Sequence, residues 1–294
     1  MTVNRVRVMA GLGWVFLIAG PVHGDGAADD VRTFSEGQSR LAQADFTGAL
    51  EAFAAAAKAD PQNPQYRASF SLLRRVLEMR DRLETETNAE KWESVARGLR
   101  TYYHENNVYS EALALDRRTH ARLNTAESAM LLAETELVLG MNAEAAELLG
   151  GLDDQAGTPR TRILQGIALA RQGRPADARS VVQGLKLPED AGPGLLFEWA
   201  RLRTLLGEQE EALGALVRCF ELTPPSRLEG IRTHARQAPD LRPLTELPEF
   251  ARVMETQSTV PESKCSLGAS CAKCPSRAAC GGETASTTSD KAGR

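Results

Sequence analysis

Asp30 to Asn63 reads DVRTFSEGQSRLAQADFTGALEAFAAAAKADPQN, and five of its residues set the frame for the chain. Gly37 and Ala49 lie twelve apart, Phe53 follows four later, Ala56 three after that, and Pro61 closes the run five further on. The same spacing returns downstream. Ala133, Gly166 and Ala200 are each followed twelve residues later by Ala145, Ala178 and Ala212, and then by a large apolar residue at Leu149, Val182 and Leu216. Gly140, Gly173 and Gly207 stand seven residues after the small position each time, where a helix ends and a left-handed residue is wanted. The period is 33 or 34 residues, and Pro224 closes the last unit as Pro61 closes the first.

This pattern resembles the tetratricopeptide repeat, a helix–turn–helix unit of 34 residues with a small residue in its first helix, then A-x3-F, then proline. The resemblance implies that the small residues let two antiparallel helices touch, that Phe53 fills the groove between units, and that Pro61 stops the second helix. One unit cannot bury its own apolar face, so several must stack. The fold expected is all-α: a right-handed solenoid of antiparallel helix pairs over residues 30–224, with a C-terminal helical cap over 225–257. Ala238 to Phe250 is similar to the end-of-group segment that closes some bacterial members of that family, which implies that Leu241, Leu244, Leu247, Phe250 and Val253 are buried.

Between the first unit and the clean ones the register weakens. Phe70, Leu73, Val76 and Leu77 recur at helical spacing. Arg74, Arg75, Arg80 and Arg82 sit among Glu78, Asp81 and Glu84, a mixture read as a solvated helix face, with an arginine-lined groove as its sharper alternative. Thr87 to Glu90 matches a capping box that opens the next helix, which places Trp92, Val95, Ala96, Leu99 and Tyr103 on one side. The third unit is a degraded copy, because Arg100 and Asp116 stand at the small and large apolar positions. Thr158-Pro159 reads as an N-cap followed by proline in the first turn. Cys219, at the position of Ala56, reads as a packing residue.

The two ends differ from the middle. In residues 1–24, Arg5 and Arg7 precede an apolar run from Val8 to Ala19, with Val22 and Gly24 at the −3 and −1 positions of a cleavage site: a secretory signal peptide. The run is short for a spanning helix, so no stable membrane anchor is expected after cleavage, and the compartment expected is periplasmic or extracellular. Residues 258–294 form a cysteine-rich, largely disordered tail, in which Cys265, Cys271, Cys274 and Cys280 give C-x5-C-x2-C-x5-C. Two disulfides are the default for an oxidising compartment. Four thiolates on Zn or Cu(I) are the alternative, since Cys271 and Cys274 have a chelating spacing. Redox catalysis by that pair lacks the scaffold that would lower a thiol pKa, because Pro275 follows and no βαβ pattern is present.

The net charge of −4, from 35 basic and 39 acidic residues, gives no basic face for nucleic acid. No P-loop, nucleophile elbow, zinc-protease helix or dinucleotide fingerprint occurs, and His104, His120 and His234 are scattered, so the chain is not read as an enzyme and no other cofactor is expected. Asp153 and Asp154 read as loop charges. The function expected is an exported scaffold or adaptor that holds a protein or peptide on its concave surface, the one lined by the first helix of each pair. The alternative is a metal-binding or redox-responsive protein acting through the four cysteines. Tyr102, Tyr103, His104, Arg74 and Arg201 are the candidate contact residues. Phe34 and Gln38, Ile163 and Ile167, and Phe197 and Arg201 occupy the positions where some relatives clamp a peptide carboxylate with Lys and Asn, so that mode is not expected.

Overall fold

The computed structural model describes residues 26–152 and 158–261. Residues 1–24, read above as a signal peptide, Asp153 and Asp154, and the four tail cysteines lie outside these residues. Among the described residues the chain is all-α, and no helix is long and apolar enough to cross a membrane. It divides into two compact units, the second beginning at Ala112. The division falls inside the third, degraded repeat, where charged residues replace the small and large apolar ones.

The first unit contains α1 (Gly26–Ala42), α2 (Phe46–Ala59), α3 (Pro64–Thr85), α4 (Ala89–Glu105) and the first residues of α5 (Tyr109–Leu123). Its helices pack in sequence order, α1 on α2, α2 on α3 and α3 on α4. Gly37 is required at the first contact: a Cβ there would come within 2.6 Å of the Phe53 ring. Phe53 continues through Phe34, at 5.2 Å between centroids, to Tyr66 at 4.7 Å from Phe34.

The second unit holds the rest of α5, then α6 (Ala126–Val138), α7 (Asn142–Gly150), α8 (Pro159–Arg171), α9 (Pro175–Val181), α10 (Pro193–Leu205) and α11 (Gln209–Glu221). Ala133, Ala145, Ala178, Ala200, Ala212 and Leu216 are all fully buried. A Cβ on Gly166 would sit 3.1 Å from the Leu202 methyls, which is why the α8–α10 contact takes glycine. Thr158 caps α8 through the Thr161 N–H, and Pro159 occupies the first turn. Asp116 fills its large apolar position as a buried carboxylate that accepts a 2.6 Å hydrogen bond from the Thr135 hydroxyl.

A single turn geometry recurs at five helix ends among the described residues. Ala44, Asn107, Gly140, Gly173 and Gly207 have φ of 60°, 57°, 76°, 75° and 79°. In each case the next residue donates its N–H to the carbonyl five positions back: Asp45 to Arg40, Val108 to Tyr103, Met141 to Glu136, Arg174 to Leu169 and Glu208 to Arg203, over 2.8–3.0 Å. This is the Schellman closure, which satisfies carbonyls left over at a helix end. Each of the five stands seven residues after the small position of its unit, including Asn107 after Arg100 in the degraded copy. The turn therefore persists there although the packing residues have changed.

Two local expectations are corrected. α4 is capped by Asn88, whose Oδ1 accepts the Lys91 N–H at 3.0 Å, and not by Thr87. Asparagine caps as well as threonine, and Glu86 Oε1 already holds the Asn88 N–H at 3.1 Å. Arg80 does not belong to a solvated face. Its guanidinium lies 4.3 Å from the Phe46 ring centroid, pairs with Glu111 at 2.9 Å and donates to the Tyr103 hydroxyl at 3.3 Å.

The second unit is closed by α12 (Pro225–Gln237), a 3-10 turn at Pro239–Leu241, α13 (Arg242–Thr245) and α14 (Pro248–Met254). Leu241 and Leu244 are fully buried, Phe250 and Val253 nearly so, and Leu247 is half-buried against the same core. Thr259 then donates its N–H and its hydroxyl to the Glu221 carbonyl, at 2.8 and 3.0 Å, so the chain ends its described course tied to the end of α11.

Candidate functional site

The first helix of each pair in the second unit is α6, α8 and α10, and their shared face carries a row of charges. Glu134 projects from α6, Arg160 from the start of α8 and Glu198 from α10. Arg160 donates Nε to both Glu198 oxygens at 3.0 and 3.1 Å, and Nη2 to Oε1 at 2.6 Å. Nη2 also lies 2.7 Å from Glu134 Oε1, an ion pair that brings a second carboxylate to the same nitrogen. The hydrogen bonds that Arg160 donates to Glu198 raise its pKa above the ordinary value. Arg160 keeps 40% of its side-chain surface, the largest exposure in this cluster.

The other end of the row is filled by the chain itself. Arg171, the last residue of α8, and Arg201, on α10, both bind Asp240 from the 3-10 turn. Arg171 donates Nε to Oδ1 and Nη2 to Oδ2, each at 2.9 Å, and Arg201 donates Nε to Oδ2 at 2.8 Å. Arg171 also reaches the Leu137 carbonyl at 2.7 Å, which ties α8 to α6. His234 of α12 lies over Phe197, at 4.9 Å between ring centroids. Burial and then the Arg201 charge lower its pKa. Ile163 and Ile167, on the same row, are fully buried, and Phe197 is nearly so.

Of the candidate contact residues, Arg201 is thus already bound to the cap. Tyr102 and Tyr103 form an edge-on pair 6.2 Å apart and are buried in the first unit. Burial pushes the Tyr102 hydroxyl up to about 12. His104 stands edge-on to Tyr109 at 5.6 Å, half-buried, its pKa lowered to about 4 by burial and then by Arg100. Arg74 is exposed on α3 and pairs with Glu78 at 3.8 Å. The structure brings the two tyrosines together as core and leaves Arg74 and Arg201 in different units.

Sequence reasoning missed Arg160, Glu198 and Asp240. Their signal was present but weak. Asp240 is a charged residue inside an apolar capping run, and Glu198 sits beside Trp199 in a helix whose neighbours are nearly all buried. Cys219 is fully buried, and burial pushes its thiol up to about 11, so it is a packing residue without thiolate chemistry. Among the described residues no group of His, Cys, Asp and Glu side chains assembles into a metal site.

No protein-family model matches the chain, and no curated protein matches it either. Among solved structures it is similar to a tetratricopeptide repeat protein from Parabacteroides merdae, at 16% identity over 78% of this chain and 93% of that one, with a TM-score of 0.38. One turn geometry, recurring at five helix ends among the described residues and each time seven residues after the small position of the repeat, makes this an all-α protein of tetratricopeptide-like helical repeats.

Proposed function

We propose that the protein is an exported, non-enzymatic scaffold that holds a protein or peptide partner on the surface formed by the first helices of its repeats. The observation that carries this reading is the stacked hairpin architecture itself, because an array of repeats presents an extended surface instead of a closed reactive cavity. Within the second unit the contact is assigned to the Glu134–Arg160–Glu198 row, since Arg201 is engaged by Asp240 and Ile163 and Ile167 are buried. Arg160 is half-exposed and held in position by Glu198, so it is oriented for a carbonyl or carboxylate of a partner without a large ordering cost. The proposal includes periplasmic or extracellular residence, with residues 1–24 removed, and two disulfides among Cys265, Cys271, Cys274 and Cys280.

The test is site-specific photocrosslinking in the native envelope from a residue analogue placed at Arg160, compared with the same analogue at Arg252 on the cap. A discrete crosslinked species from Arg160 alone supports the reading. Equal crosslinking from both positions, or none from Arg160, removes the assignment to this row.

A further inference from the structure

We infer that the trench between α7 and α9 is a second recognition site, one that takes a short extended peptide segment bearing a basic side chain. It rests on the scaffold reading but uses other helix faces. Two short helices wall the trench. α7 has nine residues and stops at Gly150-Gly151, and α9 has seven. Arg162 of α8 ends α9 by donating Nε to the Val181 carbonyl at 2.7 Å and Nη2 to the Gln183 carbonyl at 3.3 Å, and Gly184, at φ 71°, turns the chain away. The equivalent helix of the next pair, α11, runs for thirteen residues. Between α7 and α9 lies an open cavity of about 550 Å³ floored by α8.

Gln165, Leu169 and Gln172 lie along that floor at i, i+4 and i+7, a single stripe of α8. Gln165 rests over Gly150, where a Cβ would come within 2.9 Å of its Nε2, and its amide has no hydrogen-bond partner among the described residues. Gln172 uses Nε2 on the Asn142 carbonyl at 2.8 Å and the Ala168 carbonyl at 3.2 Å, which leaves its Oε1 as an acceptor. Seven helical residues rise about 10.5 Å, and three residues of an extended chain span about 10 Å. A peptide whose N–H meets Gln172 Oε1 therefore sets its third peptide group further on against the Gln165 amide, with an apolar side chain over Leu169 between them.

Charge selects the side chain. On the rim Asp177 is neutralised by Arg174 at 2.6 Å, whereas Glu147 is exposed and has no cation partner among the described residues. The trench thus carries one uncompensated negative charge, which favours Lys or Arg in the occupant and opposes Asp or Glu.

The probes are three synthetic octapeptides of one Ser/Leu/Ala frame carrying two Lys, two Gln or two Glu, added to the ¹⁵N-labelled full chain. The Lys peptide is expected to shift the side-chain amide signals of Gln165 and Gln172, with the Glu peptide weaker by about tenfold. Gly150→Ala, which drives a methyl into the place of the Gln165 amide, and Glu147→Gln should each weaken the Lys peptide by about fivefold without lowering the thermal midpoint. Silence at both glutamines with all three peptides overturns the trench, as does an equal response to Lys and Glu peptides. Shifts confined to the Arg160 row overturn the trench and leave the scaffold reading standing, and crosslinking failure at Arg160 alongside shifts at the glutamines does the reverse.

Discussion

Arg171 and Asp240, sixty-nine residues apart, meet through two parallel hydrogen bonds of 2.9 Å, and Arg201 completes the clamp on the same carboxylate. The paired geometry fixes both the distance and the plane of the cap relative to α8. All three side chains are largely buried: Arg171 keeps 19% of its surface, Arg201 20% and Asp240 5%. Removing the single anion strands two cations, which is the costly way to break a buried pair. Asp240→Ala should lose about 3 kcal/mol in urea unfolding, and Arg201→Ala about 1 kcal/mol, because Arg171 keeps both of its bonds. Equal losses would show that the clamp does not work through the shared carboxylate.

The hairpin turns give an opposite pair of substitutions. Ala44 holds a left-handed conformation at φ 60° that costs an L-residue about 1 kcal/mol, whereas Gly140 adopts it freely. Ala44→Gly should stabilise by about 0.5 kcal/mol after its gain of unfolded-chain entropy, and Gly140→Ala should destabilise by about 1 kcal/mol. Open space surrounds the Gly140 position, so the second effect isolates backbone strain from packing. A neutral Gly140→Ala in thermal denaturation contradicts the shared-turn account.

His104 makes stability depend on pH. Burial, and then the Arg100 charge, hold its pKa at about 4, below the 6.5 of an unfolded histidine. Between those values the unfolded chain binds the proton and the folded chain does not, so stability rises with pH across the window. The contribution is complete above about pH 6.5 and is lost as pH falls towards 4, on the order of 2 kcal/mol in all. Urea midpoints of the wild type and His104→Gln across that window test it. Parallel curves would sink the assignment.

Five cysteines divide into two chemical classes. Cys219, fully buried with its thiol held up to about 11, should resist alkylation until the chain unfolds. For Cys265, Cys271, Cys274 and Cys280 the disulfide reading predicts an intact native mass short of the reduced chain by the four hydrogens of two bridges. A mass raised by one metal ion and restored by acid would transfer the tail to thiolate coordination and bring metal handling forward.

The repeat register was legible because steric fit acts locally. Gly37 meets the Phe53 ring where a Cβ would clash at 2.6 Å, and Gly166 faces the Leu202 methyls where a Cβ would stand at a tight 3.1 Å, so only small residues suit these contacts and the residue types themselves carry the pattern. The left-handed turns were legible at Gly140, Gly173 and Gly207 but not at Ala44 or Asn107, where Ala and Asn occupy a conformation normally marked by glycine. The burial of Leu241, Leu244, Phe250 and Val253 was likewise readable from the capping segment. Candidate contact residues were not. Tyr102 and Tyr103 looked available as a polar-tipped aromatic pair, yet a tyrosine buries its ring readily while its hydroxyl finds a partner, as Tyr103 does in Arg80.

By itself the sequence determined the all-α class, the period of the hairpins, where their helices stop and which small residues line the contacts. All of these depend on spacing within one unit or between adjacent ones. Tertiary structure alone decided which charges face one another. Arg171, Arg201 and Asp240 come from three separate elements, and so do Glu134, Arg160 and Glu198. The physical reason is range. Apolar packing leaves a periodic trace along the chain, but an ion pair needs only two long side chains to meet, and their meeting is fixed by how the helices stack.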